Sequence, residues 1–177
     1  MSKAEQKPPF SHVLQVATMH GATHLRLRPS EAERTAIARL ANLHAVDRFE
    51  VDLDVEVKGS GIVTVLGKLK ADVQPVCVVS LEPFKQNIEE EIDTRFAEDA
   101  LIEKLTKRAE DEENEDFEPP EQLQDGGIDL GMLATEYLIV ALDPYPRKPG
   151  IEFAGYGQPE EKKSPFDALK ALKADQE

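Results

Sequence analysis

From position 49 to position 58 the chain alternates without a break. Phe49, Val51, Leu53, Val55 and Val57 are apolar, and Glu50, Asp52, Asp54, Glu56 and Lys58 between them are charged. A period of two is the repeat of a strand with one buried and one wet face, so a strand is predicted with its core side already assigned. Gly59-Ser60-Gly61 supplies a loose hairpin connection, and residues 62–79 continue with Val63, Val65, Leu69, Ala71, Val73 and Cys77 on one face. These two strands are expected to pair antiparallel. Leu81-Glu82-Pro83 interrupts the pattern, after which Ile88, Ile92 and Phe96 are spaced by four. Helix and strand both accommodate that spacing, but polar residues at the alternate positions and Thr94 beside Phe96 favour a strand.

Residues 11–18 and 23–28 read as two further strands joined by a turn at His20-Gly21-Ala22, with Leu25 and Leu27 alternating with Arg26 and Arg28. Ser30 and Glu33 have the spacing of a capping box, and Ile37, Leu40, Ala41 and His44 follow at helical intervals, predicting a helix over 31–43. A second helix is predicted over 130–142. Asp129 can cap it, Leu130, Leu133, Tyr137, Ala141 and Leu142 form its apolar stripe, and Pro144 and Pro146 stop it. Between the sheet and that helix, residues 110–125 hold nine carboxylates, no basic residue and Pro119-Pro120. Like charges repel and there is little to bury, so a disordered acidic loop is expected over 109–127. The fold class expected is α+β: a mainly antiparallel sheet from the first hairpin and the three central strands, with the two helices packed on it. The organisation expected is a disordered tail over 1–9, a single domain over 10–146, and a flexible C-terminal tail over 147–177 with a short helix near 165–173.

Composition fits this picture. With 177 residues, 40% hydrophobic and 32% charged, the chain can bury one core without staples. Its one cysteine excludes an intramolecular disulfide framework, and no basic, apolar leader opens the sequence, which points to a reducing cytosol. The longest apolar run, 137–142, is far too short for a bilayer span, so no membrane association is expected. The net charge of −14 argues against broad affinity for DNA or RNA, because neutralisation of phosphates by Lys and Arg supplies most non-specific binding. The charge is also uneven. Residues 1–48 hold seven basic and four acidic residues, whereas residues 49–143 hold 8 and 25. An acidic body meets basic proteins readily, and the mildly basic start can still meet RNA locally.

Candidate chemistry is sparse. Cys77 has apolar neighbours and falls on the core-facing parity, whereas a reactive thiolate wants an electropositive, partly exposed setting, so a structural role is favoured. His12, His20, His24 and His44 offer no ligand pair at structural-zinc spacing, and no cofactor or metal is expected. There is no phosphate-binding glycine loop, no nucleophile elbow and no His-Glu-x-x-His, so no catalytic residues are assigned and an enzyme is not expected. Arg26, Arg28, Arg34, Arg39 and Arg48 are the candidates for an RNA or anion contact, although no aromatic lies among them to stack a base. Glu110, Asp111, Glu112, Glu113, Glu115 and Asp116 are the candidates for holding a basic partner, set against the plainer reading of an inert linker.

Three ordered blocks carry a resemblance. Val65 to Ala71 followed by Val73-Gln74-Pro75-Val76-Cys77-Val78-Val79-Ser80-Leu81-Glu82-Pro83-Phe84 and then Ile88 to Phe96 is similar to the central block of the YceD family of large ribosomal RNA subunit accumulation proteins. Ile128-Asp129-Leu130-Gly131, running into Glu136 to Pro144, resembles that family's helix after its acidic loop, and residues 164–173 resemble its C-terminal end. The resemblance implies a role in accumulation or processing of large-subunit ribosomal RNA and in assembly of the large subunit, in a bacterium or a bacterium-derived organelle. With the missing catalytic motifs and the cytosolic cysteine usage, a non-catalytic bacterial cytoplasmic factor is expected. The implied partner is a large-subunit protein or precursor particle, with ribosomal RNA itself as a further candidate. It also marks Cys77, Leu81, Glu82 and Pro83 as a family motif, expected to be structural. Many family members carry a second cysteine where this chain has Ser80, so a metal or redox role for a cysteine pair has no support here. The alternative kept open is an RNA-processing enzyme or hydrolase whose site is not a linear motif.

Overall fold

A computed structural model describes residues 8–19 and 21–151. The expected tails at 1–9 and 147–177, and the short helix near 165–173, therefore lie mostly or wholly outside the described residues. The elements are β1 (Val13–Gln15), a 3-10 turn (Val16–Thr18), β2 (Ala22–Leu27), α1 (Glu31–Leu40), β3 (Ala45–Val57), β4 (Val63–Gln74), β5 (Gln86–Ala97), α2 (Asp99–Asp111), β6 (Glu121–Gln122), β7 (Gly127–Asp129) and α3 (Leu130–Ala141). The architecture is α+β. A five-stranded sheet runs β2-β3-β4-β5-β6, antiparallel except for the short parallel β5/β6 pair, and β1 pairs with β7 in a separate two-stranded sheet. No helix among the described residues is long and apolar enough to cross a membrane.

The alternating ribbons set the layers. Phe49, Val51, Leu53 and Val55 of β3, Val63, Val65, Leu69, Ala71 and Val73 of β4, and Ile88, Ile92 and Phe96 of β5 are all buried on one face. That face is closed by Ile37 of α1, by Leu130, Leu133, Ala134 and Leu138 of α3, and by Phe10, whose ring meets Phe49 edge-on. Burial of these aliphatic and aromatic side chains, each worth roughly 1.5–3 kcal/mol, is the main force holding the layers together.

Four expectations are corrected. The strands at 11–18 and 23–28 do not form a hairpin: β1 leaves the main sheet and pairs with β7, Val13 opposite Asp129 and Gln15 opposite Gly127. The first helix keeps its capping box but ends at Leu40, because Asn42 turns into the left-handed region (φ 54°). β4 ends at Gln74 rather than running to 79, since Pro75 has no N–H for the ladder. Residues 109–127 are not without regular structure throughout: α2 extends to Asp111 and β6 joins the sheet edge at Phe96 and Ala97. Helix α2 itself stands where no element is predicted. Its half-buried stripe, Leu101, Ile102, Leu105 and Thr106 with buried Ala109, is what fixes it.

Candidate functional site

The five candidate arginines do not form one patch. Arg26 and Arg48 stand with Arg28 on the outer, polar face of the sheet, while Arg34 and Arg39 belong to α1, which covers the opposite face. The outer three are already engaged. Arg26 Nε is 2.6 Å from Asp52, Arg28 Nε 2.9 Å from Glu50, and an Arg48 Nη 2.7 Å from the second oxygen of Glu50. Antiparallel pairing of β2 with β3 sets Arg26 directly across from Asp52, so the pairing follows from strand register. The hydrogen bond from Arg26 holds the Asp52 carboxyl below the usual range, and that from Arg48 does the same for Glu50. On α1, Arg34 donates to the Pro29 carbonyl at 3.1 Å, and Arg39 is exposed with no ion-pair partner among the described residues.

The acidic candidates lie at the end of α2 and in the turn that follows. Glu110, Asp111, Glu112, Glu113, Glu115 and Asp116 are all exposed. Only Glu112 takes part in an ion pair among the described residues, with Arg108 at 2.8 Å. Glu113 itself sits at φ 52°, turning the chain out of the helix. Carboxylates at a helix C-terminus oppose the macrodipole, so this placement costs stability rather than adding it.

A second acidic surface escapes any motif search. On the outer face, β5 carries Glu89, Glu91 and Asp93 at alternate positions, with Lys70 and Lys68 of β4 reaching Glu89 and Glu91 at 3.1 Å. Its only signal in the sequence is the polar half of the β5 alternation.

The Cys77 block forms a tight loop over 75–84. Val76 bridges to Pro83, Cys77 N–H donates to the Glu82 carbonyl, Leu81 N–H returns to the Cys77 carbonyl, and Phe84 N–H closes on Pro75. Cys77 is fully buried, but in this loop and not on the strand where parity places it. Its sulfur accepts backbone N–H groups from Val79, Ser80 and Lys148 at 3.4 Å each. The Lys148 N–H first, then Ser80 through its hydroxyl and its N–H, hold the thiol down to about 6. Lys148 also pairs through its Nζ with Glu82 at 2.9 Å, which ties the segment after α3 onto the loop. Leu81 is 76% exposed in the left-handed region at φ 59°, and Pro83 is exposed beside it. Among the described residues no group of three or more His, Cys, Asp or Glu side chains is placed to hold a metal ion.

Comparison with known proteins adds one match. A family model described as "Large ribosomal RNA subunit accumulation protein YceD" matches residues 65–173, more than half of the chain. The matched stretch takes in β5, the Cys77 loop, the acidic turn and α3, while all five candidate arginines precede it. No curated protein and no solved structure matches the chain.

Proposed function

The chain belongs to the YceD family of large ribosomal RNA subunit accumulation proteins, and from that premise we propose that it is a non-catalytic assembly factor that holds a basic segment of a large-subunit protein, or of a precursor particle, on its acidic side. The observation that carries this reading is the disposition of charge. Phosphate binding needs cations free to displace counterions, yet Arg26, Arg28 and Arg48 face Asp52 and Glu50. Glu110, Asp111, Glu113, Glu115 and Asp116 carry no such partner among the described residues. A protein of net charge −14 then attracts basic segments over roughly a Debye length and repels RNA. Screening its client's charge until the RNA displaces it is the contribution assigned to the factor. Its place of action is the cytoplasm of a bacterium or the interior of a bacterium-derived organelle.

Affinity capture of the full chain from cells, with proteins identified by mass spectrometry, tests this. Large-subunit proteins should be enriched and should dissociate as salt rises. Replacing the acidic residues of 110–116 by Ser and Asn should weaken the association and flatten its salt dependence. Capture of precursor RNA that survives removal of protein, and is lost in an Arg26→Gln, Arg28→Gln, Arg48→Gln variant, would contradict the reading.

A further inference from the structure

The outer face of the five-stranded sheet is striped by charge, one strand at a time. β2 carries His24 and Arg26, with Arg28 just past its end; β3 carries Glu50, Asp52, Asp54 and Glu56; β4 carries Lys68 and Lys70; β5 carries Glu89, Glu91 and Asp93. Arg48 on β3, Asp72 on β4 and Arg95 on β5 break the pattern toward the strand ends. Register places opposite signs side by side at each boundary: Arg26 opposite Asp52, Glu50 opposite Lys70, Asp52 opposite Lys68, Lys70 opposite Glu89 and Lys68 opposite Glu91. Opposite charges across a strand pair favour the pairing, and like charges oppose it.

The series stops at an acidic strand with an open edge. β6 pairs only with Phe96 and Ala97, so among the described residues nothing pairs with residues 86–95 of β5 on the side away from β4. The Ala97 carbonyl accepts the Leu123 N–H on that side, and the Asp93 carbonyl accepts the Tyr137 hydroxyl. Backbone groups alternate in direction along a strand, so the N–H and C=O of Asn87, Glu89 and Glu91 face the same open edge. Glu90 sits on the core-facing parity yet is exposed. An inward-pointing charge at an edge discourages an apolar strand from adding there, but it leaves a cationic one acceptable. Glu89 and Glu91 are each paired with one lysine, Lys70 and Lys68, yet stay 70% and 82% exposed, unlike Glu50, which takes two arginines and is 21% exposed, so each keeps a solvent-facing side for a second cation.

We propose that the β5 edge is a docking site for an extended basic segment of a large-subunit protein, which joins the sheet beside Asn87, Glu89 and Glu91 and sets Lys or Arg at alternate positions against Glu89 and Glu91. It continues the basic-acidic sequence of the stripes. Main-chain hydrogen bonds supply affinity, and the carboxylate row selects charge and register. The proposal rests on the reading of the chain as a carrier of basic segments, and it names a surface distinct from the acidic turn.

The test titrates a labelled peptide of alternating Thr and Lys, about nine residues long to match the free edge, into the full chain by fluorescence anisotropy, with amide hydrogen exchange as the second readout. Binding should slow exchange at Asn87, Glu89 and Glu91. N-methylation of the peptide amides that face β5 should weaken it roughly tenfold or more. A Glu89→Lys, Glu91→Lys variant should lose the Lys peptide and gain one of alternating Thr and Glu. A melt confirms folding, and Glu89→Gln, Glu91→Gln gives the milder loss if reversal unfolds the sheet. A peptide that tolerates N-methylation, leaves those amides unprotected and is lost only in the variant neutralised over 110–116 overturns the edge while sparing the carrier reading. Absence of binding to any surface overturns both. Protection of the same amides by the protein alone as its concentration rises would place a second copy there and overturn the proposal.

Discussion

The sulfur of Cys77, accepting three backbone N–H groups, is stabilised as a thiolate. Its pKa falls from 9.0 to about 6, so between those values the folded chain has released a proton that the unfolded chain still holds. Stability from this group therefore grows as pH rises from about 6 towards 9 and is lost below about 6. Comparing the melting temperature of the wild type with that of Cys77→Ala should show a gap that widens across this window; a pH-independent gap would mean that the thiol stays protonated. The burial of Cys77 expected from the sequence holds, but for a different reason, since the strand whose parity predicts it ends at Gln74 and a loop encloses the sulfur instead. Parity misses the nest of donors, because Lys148 lies 71 residues away. Gly67 makes a second test at this scale. It stands in mid-β4, where a Cβ would overlap the Asp52 carbonyl and the Leu53 side chain, so Gly67→Ala should cost about 1–3 kcal/mol in denaturant unfolding.

Among the elements, those with an unbroken local period were legible and those that depend on distant partners were not. β3, β4 and β5 follow from alternation, and α1 from the Ser30 and Glu33 capping box. Asp129 was legible only in part. Its carboxylate caps α3 through the N–H groups of Gly131 and Met132 at 3.1 Å, as its position predicts, but it also accepts the His12 N–H at 2.8 Å and the Ser11 hydroxyl at 2.6 Å. Gly131 completes the joint, since a Cβ there would come within 3.0 Å of the Phe10 carbonyl. That long-range anchor is why β1 abandons the expected hairpin. Asp129→Ala should therefore cost more than an ordinary cap, about 2 kcal/mol or above. Faster hydrogen exchange of the His12, Gly131 and Met132 amides should accompany it; a loss confined to Gly131 and Met132 would mean that the N-terminal segment is held independently. α2 was missed because its carboxylate-rich end reads as part of the acidic run, which hides the Leu101, Leu105, Ala109 spacing.

At the scale of the molecule, the sequence discloses the sign of the charge but not its bookkeeping. The arginines could be counted along the chain, yet only strand register shows that Arg26 meets Asp52 and that Arg28 and Arg48 converge on Glu50. Arg39 and several exposed lysines stay unpaired among the described residues, but the densest unpaired run of one sign is the carboxylates Glu110, Asp111, Glu113, Glu115 and Asp116. The most direct measurement is the amount of mature large-subunit ribosomal RNA in cells stripped of this protein and supplied with variants at equal abundance. The account predicts that the chain with Ser and Asn replacing the acidic residues of 110–116, combined with Glu89→Gln and Glu91→Gln, fails to restore that RNA, while Arg26→Gln, Arg28→Gln, Arg48→Gln restores it. Full rescue by the acid-neutralised chain together with failure of the arginine variant would contradict it.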